Sequence, residues 1–127
     1  MCVADNTRFR VAIQVTLLEF EKPDGFRYRP GQYVFAAVPS VSALEFHPFT
    51  LSSAPHEETL SLHIRKVGDW TGALHAKASP AGSAAYSNAR VDCVLVDGPY
   101  GSASQEVFDY EVAVMVGAGT FFTSTSS

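Results

Sequence analysis

The stretch Thr59-Leu60-Ser61-Leu62-His63-Ile64-Arg65-Lys66, continued by Val67-Gly68-Asp69-Trp70-Thr71, decides the fold. Its first part alternates apolar and polar residues, the period of a half-buried β-strand. Leu60, Leu62 and Ile64 share one face, and Thr59, Ser61, His63 and Arg65 share the other, so a polar row lies on an otherwise apolar scaffold and is a candidate ligand surface. The period then changes. Asp69 can cap a short helix over Trp70 to Lys77, because its carboxylate can accept the free N–H groups of a first turn. Gly72 weakens that helix, and its length makes it dependent on packing.

Working outward, Phe9, Val11, Ile13, Val15 and Leu17 alternate with Arg10, Ala12, Gln14 and Thr16, which predicts one strand over 9–17. Lys22-Pro23-Asp24-Gly25 and Arg29-Pro30-Gly31 are turns by composition, the second leading into a strand over Gln32 to Val38. Phe49 to Ser53 is a further strand, separated from Thr59 by the loop Ala54 to Glu58. Ser79 to Arg90, rich in Ser, Ala, Gly and Pro, reads as a surface loop. Val91 to Val96 is another strand, closed by the turn Asp97-Gly98-Pro99-Tyr100-Gly101. Five or six short strands with one helix predict an all-β domain, a small antiparallel Greek-key β-barrel with a single short helix. Glu111 to Val116 then reads as a buried strand entering Gly117-Ala118-Gly119, the way a nucleotide-binding α/β unit begins. The expected organisation is a barrel over residues 1–110 and, over 111–127, the first strand of an incomplete α/β domain.

The chain's 127 residues suit one main core, and 46% hydrophobic with 17% charged residues is ordinary for a globular protein. A net charge of −4 without a Lys/Arg run argues against nucleic acid and anionic membrane surfaces as partners. The apolar stretch Val112 to Gly119 is far shorter than the roughly 20 residues of a membrane helix. The start carries no apolar core of signal-peptide length. Cys2 and Cys93 suggest neither a disulfide framework nor a zinc site, and a reducing compartment follows. His47, His56, His63 and His75 lack metal-ligand spacing. Glu57 and Glu58 read as solvated loop charges. Ser52 and Ser53 lack a nucleophile elbow, so a hydrolase has no support.

Four ordered motifs remain: Tyr28-Arg29-Pro30-Gly31-Gln32-Tyr33; His47-Pro48-Phe49-Thr50 with Ser53-Ala54-Pro55; His63-Ile64-Arg65 with Gly68-Asp69-Trp70-Thr71; and Asp97-Gly98-Pro99-Tyr100-Gly101. In order and spacing they resemble the flavin domain of the NADPH oxidase and ferric reductase family, part of the wider ferredoxin-NADP reductase superfamily. The resemblance implies a barrel that holds FAD and a following domain that holds NADPH. It implies that His47, Pro48, Phe49 and Thr50 contact the flavin, with the Thr50 hydroxyl near the isoalloxazine nitrogens. A hydroxyl can donate or accept as a ring nitrogen changes protonation, and an aromatic ring can stack on the flavin. Strict alternation sets Phe49 and Thr50 on opposite faces, so both reach one flat ring only at a strand end or bend. Arg65 offers a fork for a phosphate beside the helix start at Gly68, Trp70 and Thr71, and the polar row adds His63. Without the resemblance, Arg65 reads as a solvated strand residue and Trp70 as a core plug.

The resemblance further implies a parent protein set in a membrane, its flavin domain on the cytosolic face, passing electrons from NADPH through FAD to haem and oxygen. The alternatives are the flavin domain of a ferric-chelate reductase and a β-barrel interaction module without ligand. The family's NADPH-contacting stretch after Gly117 and Gly119 is replaced here by Thr120 to Ser127, so these two glycines are a weak nicotinamide-nucleotide signal and the sequence reads as C-terminally truncated. One outcome follows for this 127-residue chain. Loaded with FAD and mixed anaerobically with NADPH, it should keep its oxidised flavin spectrum, because hydride transfer needs the nicotinamide held within about 3–3.5 Å of the flavin. Rapid, saturable bleaching specific to NADPH would contradict this.

Overall fold

The computed structural model describes residues 7–79, 90–91, 93–101, 106, 109–114 and 116. In chain order the elements are β1 (Thr7–Ala12), β2 (Val15–Glu21), β3 (Tyr33–Ala37), β4 (His47–Thr50), β5 (Thr59–Arg65), α1 (Asp69–Ala78), β6 (Arg90–Val91) and β7 (Leu95–Tyr100).

The single strand expected over 9–17 is a hairpin. Ala12 pairs with Val15 across a tight turn at Ile13 and Gln14, and Ile13 is 83% exposed. The turn inverts the apolar phase. Phe9 faces Leu18 and Val11 faces Thr16, so the buried residues of β2 are Thr16, Leu18 and Phe20 instead of Val15 and Leu17. β5 continues the wall, with Leu60, Leu62 and Ile64 opposite Phe20, Leu18 and Thr16. All of these inward side chains except Val11 are at most 1% exposed.

The strands form two antiparallel sheets, ordered β5-β2-β1-β6 and β4-β3-β7. An isolated bridge between Leu51 and Leu62 joins them, with Ser52 N–H donating to the Ser61 carbonyl at 2.9 Å, while Leu51 N–H donates to the Gln32 carbonyl at 3.0 Å and extends the β3–β4 pairing. The wall thus follows a barrel course from β6 round to β7. The crossovers β2 to β5 and β3 to β7 are those a Greek-key path requires, and no β6–β7 ladder closes it among the described residues.

Helix α1 covers one end of the core with Trp70, Leu74 and Ala78, one face at i, i+4 and i+8. The Thr16 hydroxyl, buried on β2, meets His75 Nδ1 at 3.1 Å and ties the helix to the sheet. Its N-cap is Gly68, not Asp69. The Thr71 hydroxyl accepts from the Gly68 and Val67 N–H groups at 2.9 and 3.0 Å and donates to the Gly68 carbonyl at 3.1 Å, which fixes the helix start one residue earlier than expected.

Four further expectations are corrected. The predicted strand 91–96 divides: β6 pairs with β1, whereas β7 pairs with β3 in the other sheet. Asp97 to Tyr100 is no turn. It continues β7 through a register irregularity opposite Tyr33 and Phe35, which Gly98 permits at φ +140°. The buried strand expected at 111–116 is absent among the described residues, where Val112, Val114 and Val116 are 84, 89 and 92% exposed. An inner parallel strand takes its burial from neighbours on both faces, and none of the described elements supplies them. Cys93, placed outside any disulfide framework by the sequence reading, is disulfide-bonded. Gly117 and Gly119 lie outside the described residues, as does most of the loop expected over 79–90.

A Cβ at Gly98 would stand 3.2 Å from Val34 Cγ1 and 3.3 Å from both Tyr100 Cδ2 and the Tyr33 carbonyl. Gly98→Ala should therefore lower stability by about 1–3 kcal/mol through strain. Leu62→Ala, at the junction of the sheets, should cost about 2–5 kcal/mol. Both are read as shifts of the urea midpoint at unchanged slope.

Candidate functional site

The register of β3 and β4 distributes His47 to Thr50 over two faces. Phe49 pairs with Val34 and His47 with Ala36, both buried, so these two rings turn toward the core side. Thr50 pairs with Tyr33 and Pro48 with Phe35, on the opposite face. There Tyr33, Phe35 and Tyr100 form a second aromatic group with centroids 5.5–5.7 Å apart. The alternation that separates Phe49 from Thr50 therefore holds through β4, despite Pro48.

On the core side α1 delivers Trp70 to the same rings. His47 and Trp70 centroids lie 4.4 Å apart at 35°, and Phe49 and Trp70 lie 5.8 Å apart, stacked at 26°. Trp70 is 7% exposed. Two nitrogens in this group, His47 Nε2 and Trp70 Nε1, are buried without a hydrogen-bond partner. Buried polar atoms are nearly always paired, so such orphans mark a place where a polar ligand atom fits.

On the outward face of β5, between buried Leu62 and Ile64, stands His63. Its Nδ1 meets Ser52 Oγ at 2.7 Å, and that hydroxyl contacts the Ser61 carbonyl at 2.8 Å and Ser61 Oγ at 3.1 Å. Ser53 Oγ accepts from Ser61 N–H at 3.1 Å. The Tyr28 hydroxyl donates to the Ser53 carbonyl at 2.8 Å and lies 2.9 Å from Ser53 Oγ. Tyr28, Ser52 and Ser53 carried no site role in the sequence reading; their signal was that Tyr28 and Ser53 stand in the quoted motifs. Burial lowers the His63 pKa. Burial also raises that of Tyr28, against the Ser53 hydrogen bond and with a smaller contribution from Glu57, so the phenol stays a donor.

Arg65 ends the polar row and is exposed. Lys66, Val67 and Gly68 lead from it to α1, whose first-turn N–H groups at Asp69, Trp70 and Thr71 have no intrahelical acceptor. Arg65 thus stands shortly before the helix N-terminus in the chain, and a guanidinium beside such a terminus is suited to a diphosphate. The Thr71 hydroxyl is occupied by the cap and leaves only its backbone N–H for a ligand. Among the described residues no group of three or more His, Cys, Asp or Glu could hold a metal ion, and no helix is long and apolar enough to cross a membrane.

The FAD-binding domain family matches residues 9–104. The chain belongs to that family. The chain is also similar to segments of several oxidases. Dual oxidase 2 of Rattus norvegicus is 47% identical over 113 residues, which is 89% of this chain and 7% of that protein. Dual oxidase 1 of Homo sapiens is 46% identical over 114 residues, with the same shares. Respiratory burst oxidase homolog protein D of Solanum tuberosum is 45% identical over 114 residues, 83% of this chain and 13% of that protein. The chain thus spans a small part of each of these relatives. Among solved structures, the Amycolatopsis cytochrome P450 reductase GcoB shares the fold, with a TM-score of 0.50 and 21% identity over 76% of this chain and 28% of that one. The residues at the FAD-binding domain's ring group fit the cofactor: aromatic faces, two orphaned nitrogens and an open helix start adjoin one another.

The lowered His63 pKa sets a sign. The folded chain takes up a proton there less readily than the unfolded chain, whose value is 6.5, so stability is present above that pH and declines as pH falls through it. His63→Gln should flatten the fall in melting temperature between about pH 7.5 and pH 5.5, a window that brackets an ordinary histidine pKa. An unchanged pH profile would show that His63 does not contribute to it.

Proposed function

We propose that the ring group and the α1 N-terminus together bind FAD for an NADPH oxidase, and that residues 1–110 form the FAD-binding unit while 111–127 belong to a following NADPH-binding unit. The observation that carries this reading is the 45–47% identity with oxidases over 83–89% of the chain. His47 and Phe49 line the flavin end on the core side of β4, and Pro48 and Thr50, on the opposite face, reach the flavin only where it extends round the free edge of that strand. His63 and Arg65 line the run toward the diphosphate, the Trp70 and Thr71 N–H groups at the helix start receive the phosphates, and Gly68, with open space where a side chain would stand, lets them approach. Gly117 and Gly119 belong to the nicotinamide nucleotide. Bound FAD supplies the step between a two-electron donor, NADPH, and a one-electron acceptor, haem.

The chain's own residues do the rest. Arg65 and the first turn of α1 neutralise the diphosphate in two ways, a bidentate charge and aligned N–H dipoles. His63, kept neutral by burial and held by Ser52, orients the polar row without adding a competing charge. In the whole protein, electrons pass on to haem in a membrane domain and then to oxygen, with this unit on the cytosolic face. The oxidase names of the relatives favour oxygen over ferric chelates as the acceptor.

Titration of the purified chain with FAD, followed by quenching of flavin fluorescence, tests the reading. Arg65→Ala should weaken binding about tenfold or more, the scale of one charge-assisted hydrogen-bond pair. Arg65→Lys should recover only part of that, and added salt should weaken the wild type. A wild-type chain that leaves FAD fluorescence unchanged would end the flavin reading, and affinity unaltered by either substitution would take Arg65 out of the site.

A further inference from the structure

We propose that Trp70 is the gate of this site: in the ligand-free chain its indole holds the ring faces that the isoalloxazine needs, and it must swing away before FAD can enter. The proposal rests on the flavin reading above. Phe49 is only partly buried, and the core cluster that it packs against includes Trp70 itself. Trp70 lies against that ring, stacked at 26°, and 4.4 Å from His47 on its other flank. The planes of the three rings differ by 26–36°, near the offset-stacked geometry that a flat heterocycle would adopt among them. An isoalloxazine and an indole cannot hold the same face of Phe49 together.

The closed arrangement is of limited stability for a stated reason. It buries His47 Nε2 and Trp70 Nε1 without partners, and opening lets water or ligand reach both. Local backbone favours the motion. Trp70 is the second residue of α1, behind the exposed segment Lys66 to Asp69 and ahead of Gly72, a weak position for a helix. A Cβ at Gly68 would meet nothing within 4 Å, so the entry to the helix is open space. The later turns are anchored by buried Leu74 and Ala78 and by the Thr16–His75 contact. Movement is therefore confined to the first turn, where the proposed diphosphate contacts lie, and phosphate capture and indole displacement become one event.

Trp70 is the chain's sole tryptophan, so rapid mixing with FAD can be followed by both its emission and flavin fluorescence. If the gate operates, the wild-type observed rate levels off with rising FAD at the opening rate. Trp70→Ala then binds with a rate linear in FAD and about tenfold or more faster, the factor expected when a mostly closed population is freed. Trp70→Phe keeps a ring without the orphan N–H, and should retain the levelling. A wild-type rate that rises linearly and matches Trp70→Ala overturns the gate while FAD binding stands. No FAD binding by any chain removes the flavin reading and the gate with it. If Trp70→Ala does not fold, the wild-type curve decides: levelling supports the gate, a straight line overturns it.

Discussion

Leu62 stands where the two sheets meet. Within β5 it faces Leu18 of β2, and across the junction it bridges to Leu51, and all three side chains are 0% exposed. Burying apolar side chains of this size is the dominant favourable contribution to a small core, and here it also sets a distance. Thr50 directly precedes Leu51 and His63 directly follows Leu62. Closing the junction therefore carries the end of the His47 to Thr50 motif onto the polar row of β5, and the site exists because the core closes at that point.

The polar side of the same junction is satisfied with unusual completeness. Ser52, Ser53, Ser61, His63 and Tyr28 share their donors and acceptors in one connected network, and Lys22 Nζ donates to the Pro55 carbonyl at 2.8 Å behind it. In a low-dielectric interior such a network is favourable only if every member is paired, and it then holds the connection between β4 and β5 to one geometry. The buried side-chain atoms left without partners are Thr7 Oγ1, His47 Nε2 and Trp70 Nε1 among the described residues. Two of these three sit in the ring group. Incomplete pairing is thus concentrated where a ligand can complete it, while the support beneath is finished.

Helix α1 links stability to binding. Its buried face completes the core, its N-terminus presents unpaired N–H groups, and its second residue lies against the proposed flavin contacts. A short helix with a glycine in its second turn draws its stability from packing and not from its own hydrogen bonds. Whatever alters the packing of Trp70 consequently alters the place where phosphates would dock.

Much of this was legible in residue order alone. The strand at 59–66 appears as Thr59–Arg65, the helix at 70–77 as Asp69–Ala78, and the strand at 32–38 as Tyr33–Ala37, because alternation marks the first, a Gly-Asp start the second and a Pro-Gly turn the third. Side-chain alternation also determined that Phe49 and Thr50 face opposite ways. The β1–β2 hairpin was not legible: Ile13 and Gln14 carry no turn signal, and the apolar series 9, 11, 13, 15, 17 runs straight through the reversal, so only cross-strand register shows that the buried phase moves to Thr16, Leu18 and Phe20. Nor could sequence tell that Asp97 to Tyr100 extends β7, since Gly and Pro serve a bulged edge as well as a turn. That Trp70 rests on Phe49 and His47 was settled by tertiary structure alone. Local pattern names which side chains face inward, but which of them meet depends on how two sheets and a helix close around one core.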